Sequence, residues 1–83
     1  SMKAELHKKI QSLSTFVELM KFYKQKNDID FYNYFVKRIQ KTMLNLVEYN
    51  LTRKNKKKLA SYILKNAVHL GIKNSLYYLK KLL

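Results

Sequence analysis

The side chains of this chain best suited to chemistry are its cations. No acidic residue follows Glu48, whereas Arg53, Lys54, Lys56, Lys57, Lys58, Lys65, Lys73, Lys80 and Lys81 all do. Positive charges without opposite partners repel one another in a folded domain and draw in polyanions or anionic surfaces. At about 100° per residue, Lys54, Lys58, Ser61, Lys65 and His69 form one row on a helix. Arg53, Lys56 and Lys57 surround the N-terminal end of that row. The helix dipole disfavours cations there, so helix stability does not account for the cluster. Two readings stand side by side. One is a ridge that contacts phosphates, with Lys73, Lys80 and Lys81 as a basic tail. The other is a solvated face in a chain whose Lys and Asn content follows from an AT-rich coding sequence.

A second group mixes rings with cations. Phe31, Tyr34, Arg38 and Tyr49 lie beside or opposite the apolar stripe of one predicted helix, near Lys37 and Lys41. Rings next to Arg and Lys can stack on bases or on a partner protein. Phe31 and Tyr49 are expected under a neighbouring helix, which leaves Tyr34 as the exposed ring. Tyr77 and Tyr78 raise the same question on the last helix.

Catalytic groupings are absent. His7 and His69 fall on different helices, and Glu5 and His7, two residues apart, point to different sides of one helix. Asp28 and Asp30 read as a cap and a first-turn residue rather than a dyad. There is no Gly-rich phosphate loop and no nucleophile elbow. The chain is therefore not expected to be an enzyme, to hold a metal or to use a cofactor.

The composition sets the frame for these residues. The chain has 83 residues, a formal net charge of +13 and no cysteine. Disulfides and Cys-based zinc sites are excluded, and a reducing, cytoplasmic setting is expected. Apolar residues make up 47% and aromatic residues 13%, which argues for a folded chain. No apolar run approaches the roughly 20 residues of a membrane-spanning helix. Ser1-Met2-Lys3 opens no signal peptide, and Ser1 reads as the scar of a removed tag.

Proline is absent and Gly71 is the one glycine, so the expected class is all-α. We read residues 1–83 as a single helical domain: a small antiparallel bundle of three long helices plus one short C-terminal helix. The first helix, Lys3 to Lys26, carries a stripe of Leu6, Ile10, Leu13, Val17 and Met20, widened by Phe16, Leu19 and Tyr23. Asn27 ends it and Asp28 caps the second, which runs from Ile29 to Asn50. The second helix turns Tyr32, Phe35, Val36, Ile39, Met43, Leu46 and Val47 inward. Thr52 or Asn55 caps a third helix that ends near Leu70 and buries Leu59, Ile63, Ala67 and Leu70. Gly71 supplies a C-terminal cap, and Ile72 folds back onto the third helix. Ser75 caps a last helix of about two turns, whose apolar residues are Leu76, Leu79, Leu82 and Leu83. The stripe of the first helix is expected to be intramolecular core, although its heptad-like spacing also permits a homodimer.

The stretch Ala67-Val68-His69-Leu70-Gly71-Ile72 resembles the turn of a helix-turn-helix, with Asn74 and Ser75 opening a second helix. That motif buries residues six and nine positions after the glycine, here Tyr77 and Lys80. Lys80 is no core residue, so a glycine-capped helical hairpin is the expected form. In size, charge and helix count the chain is also similar to bacteriocin immunity proteins, without a shared motif.

The leading functional expectation is a small nucleic-acid-binding protein, a regulator or an accessory factor, that contacts the phosphate backbone of DNA or RNA through the third helix and the basic tail. The main rival is a protein-interaction bundle of the immunity-protein kind or a regulatory adaptor. A third reading is an anionic membrane surface bound by a basic amphipathic face.

Overall fold

A computed structural model describes residues 2–49 and 51–83, with side chains from Glu5 onward. These residues form five helices and no strand, so the class is all-α. They fall into two compact units, Ser1–Thr42 and Met43–Leu83, and the boundary lies inside the second helix.

In the first unit, α1 (Met2–Gln25) carries the apolar stripe at the expected positions. Leu6, Leu13, Val17 and Met20 are buried within a single chain, and Ile10, Phe16, Leu19 and Tyr23 are half-buried beside them. α1 ends in a two-residue reversal. Asn27 has φ 58°, its N–H donates to the carbonyl of Lys24 at 3.2 Å, and the N–H of Asp28 donates to the carbonyl of Tyr23 at 3.0 Å. This is a Schellman closure, which satisfies carbonyls that the helix end leaves open. Asp28 at once caps α2 (Ile29–Glu48), as its Oδ1 accepts from the N–H of Phe31 at 3.3 Å.

Rings join the two helices of this unit. Phe16 lies 6.0 Å from Phe35, and Tyr23 lies 4.9 Å from Phe31 and 5.8 Å from Phe35. Later residues of α1 meet earlier residues of α2, so the pair is antiparallel. Asn50, where the sequence reading ends the second helix, lies outside the described residues.

The second unit holds the end of α2, α3 (Arg53–Lys65), α4 (Ala67–Leu70) and α5 (Ile72–Leu82). Thr52 caps α3, its Oγ1 accepting from the N–H of Asn55 at 3.2 Å. Leu59 and Ile63 are fully buried, together with Met43 and Leu46, and Leu51 and Leu70 are buried beside them. The third helix does not run unbroken to Leu70. At Asn66 the side-chain amide donates to the Tyr62 carbonyl at 2.9 Å, the same acceptor that takes the Asn66 N–H. Such local side-chain bonding competes with the helical ladder and sets α4 apart from α3.

The last helix differs more. Gly71, at φ 92° and ψ 130°, joins α4 directly to α5, a backbone conformation open to glycine. α5 starts at Ile72 and spans 11 residues, so Ser75 is not its cap. The N–H of Ser75 donates to the Gly71 carbonyl at 2.8 Å, which places this residue inside the helix. The inward face is Ser75, Tyr78 and Leu82, with Leu79 half-buried, whereas Leu76 and Leu83 are exposed. Ile72 is also exposed and does not fold back. With Ile72, Tyr77 and Lys80 all outward, the register is not that of a helix-turn-helix.

Candidate nucleic-acid interface

The inward residues of α3 are Asn55, Leu59 and Ile63. Counting about 100° per residue from them, Arg53, Lys54, Lys57, Lys58 and Lys65 fall on the opposite side, within an arc of about 140°. All five are exposed, and Lys56 is exposed at the flank. The expected row of Lys54, Lys58, Ser61 and Lys65 is therefore present on α3. His69 leaves it: the break at Asn66 puts this residue on α4, where it is half-buried.

On α5, Lys73 and Lys80 project away from the buried face, and Lys81 lies at its side. The Lys81 ammonium stands 5.7 Å from the centre of the Tyr77 ring, a cation–π contact. Tyr77 is half exposed. Tyr78 is not available for stacking, since only 3% of it is exposed. Burial raises the pKa of its hydroxyl above the usual value, and Tyr77 beside it adds to the rise.

On α2, Tyr34 is 54% exposed, as expected of it. Phe31 is not covered: it is 51% exposed, and Tyr49 is about as open. The Arg38 guanidinium lies 5.3 Å from the centre of the Phe16 ring. Phe22, which the sequence did not single out, is another exposed ring and meets Tyr23 edge-on at 5.2 Å. Lys26 stands over Phe22 at 5.7 Å. The signal for this cluster was the density of rings around Asn27, which a single-helix projection cannot assemble.

Four aliphatic side chains in the second unit are also outward. Leu64, Val68, Ile72 and Leu76 recur every four residues across α3, α4 and α5, and Val68 is 83% exposed. Of these, Ile72 was expected to fold back onto the third helix and Leu76 to lie on the apolar side of the last helix.

Among the described residues no group of three or more His, Asp or Glu side chains could hold a metal ion. None of the helices is long and apolar enough to cross a membrane. No family model, no curated protein and no solved structure matches this chain.

Proposed function

We propose that this chain is a small, non-catalytic, intracellular nucleic-acid-binding protein that grips the phosphate backbone through α3 and α5. One observation carries the reading: every Lys and Arg after Glu48 is exposed, and that half of the sequence offers no side-chain carboxylate to pair with. Lysine–phosphate contacts release counterions and supply affinity without sequence choice. Arginine is scarce, with only Arg38 and Arg53 in the chain. Bidentate reading of guanine favours arginine, so limited base selectivity is expected. A regulator or accessory factor that coats or positions DNA or RNA fits this chemistry. The test is binding to duplex and single-stranded DNA and RNA over a salt series. Absence of binding at low salt, or affinity indifferent to salt, rejects the reading.

The outward Leu64, Val68, Ile72 and Leu76 favour a second reading, a protein-interaction surface. A nuclease-treated pull-down from the native host would recover a partner by this route, and vesicle co-sedimentation with and without anionic lipid would separate a membrane surface from it.

A further inference from the structure

We propose that the outer face of α2 is a stacking platform for unpaired bases, which makes single-stranded DNA or RNA, rather than duplex, the preferred ligand. This rests on the nucleic-acid reading above and names its substrate class. Phe31, Tyr34, Arg38 and Lys41 follow one another at spacings of three, four and three. Such spacing lines them up as one ridge on a helix. All four are exposed.

The two rings of the ridge are held from beneath. Phe31 stacks on Tyr23 at 4.9 Å with 22° between planes, and Tyr23 stacks on Phe35 at 5.8 Å with 9°. Phe35 reaches Phe16 at 6.0 Å, and the Arg38 guanidinium closes this ladder at 5.3 Å from Phe16. Tyr34 sets its ring edge-on to Phe35 at 5.1 Å. Rings fixed in this way lose little further rotamer freedom when a base arrives, a cost that floating side chains would bear.

Charge selects the occupant. Lys37, Arg38 and Lys41 share the outward side of α2 with the rings, against Asp30 as the carboxylate near its start. Cations between open rings match a strand that alternates phosphates with flat bases. A duplex keeps its base faces stacked inside and offers the rings nothing. An unpaired strand presents them, and each stacked base is worth about fivefold to 150-fold in affinity.

The experiment uses the full chain and three labelled probes of equal length: an oligothymidylate, an abasic strand with the same phosphates, and a duplex. Fluorescence anisotropy at one salt concentration ranks them. The expected result is that oligothymidylate binds at least about fivefold more tightly than the abasic strand, and more tightly than the duplex. Tyr34→Ala should shrink that gap while leaving abasic binding unchanged. Phe31→Leu, which keeps bulk over Tyr23 but removes the ring, should do the same with helicity intact by circular dichroism. Equal affinity for oligothymidylate and the abasic strand, or a preference for duplex, overturns the stacking platform and leaves the phosphate ridge standing. Failure to bind all three probes overturns both.

Discussion

Reversing Lys58 and Lys65 to glutamate should flatten the salt dependence of nucleic-acid binding, and α3 sets the size of the effect. Five cations occupy its outer face: Arg53, Lys54, Lys57, Lys58 and Lys65. If each neutralises one phosphate, the α3 contribution to the slope of the logarithm of the binding constant against the logarithm of salt is about −4.5 on duplex DNA and about −3.5 on a single strand, and contacts from α5 add to it. Through α3 alone, raising salt from about 50 to about 200 mM would then weaken binding by roughly 500-fold or 130-fold, respectively. Removing two of the five contacts should bring that contribution to about −2.7 and −2.1. The assay is anisotropy titration of a labelled oligonucleotide at four or more salt concentrations. The control is Lys8→Glu with Lys21→Glu on α1, where Lys21 already lies 3.6 Å from Glu18. This pair should change the slope far less. If both double variants lose slope equally, the attraction is diffuse and the ridge on α3 is not a binding surface.

Three further predictions concern the second unit. Ser75 is 3% exposed and its Oγ has no hydrogen-bond partner among the described residues. Ser75→Ala should therefore stabilise the fold by about 1–3 kcal/mol, visible as a higher urea midpoint; an unchanged or lower midpoint would show that the hydroxyl is satisfied. Gly71→Ala should destabilise by about 1–3 kcal/mol, because φ 92° with ψ 130° strains any residue with a Cβ. The added Cβ would stand 3.5 Å from Asn74 Nδ2, an ordinary contact, so a much larger loss on thermal melting would point to a clash rather than to backbone strain. The Tyr78 hydroxyl titrates above the ordinary value of 10.0 in the fold. Its neutral form is thus favoured by folding, so the stability it contributes is in place below pH 10 and is lost as pH rises through the folded value. Tyr78→Phe should make the alkaline loss of stability shallower, and an identical alkaline profile would contradict the burial of this group.

Much of this organisation is local and was legible in the residues themselves. Asn27 and Asp28 mark the corner between α1 and α2, since a left-handed residue followed by a capping carboxylate needs no tertiary partner to act. Thr52 caps α3 for the same reason. The stripes of α1 and α2 follow from spacing, because apolar residues recur every three or four positions along one side of each helix. The cation surplus after Glu48 is a property of composition.

What needed the folded chain was the choice among faces that spacing leaves nearly equal. In α5, Leu76 and Leu79 define one stripe, while Ser75, Tyr78 and Leu82 define another, rotated by about one residue. Gly71 delivers α5 to α3 and α4 with the second stripe inward, which buries a serine and a tyrosine and turns Leu76 out. The same holds for the rings of the first unit. Phe31 and Phe35 stand one turn apart on α2, and it takes Tyr23 of α1, stacked against both, to join them into a ladder. Periodicity reports the distance of residues along one helix. Which side meets a neighbour depends on the angle at which the chain returns, and that angle is set by turns and packing that no single helix contains.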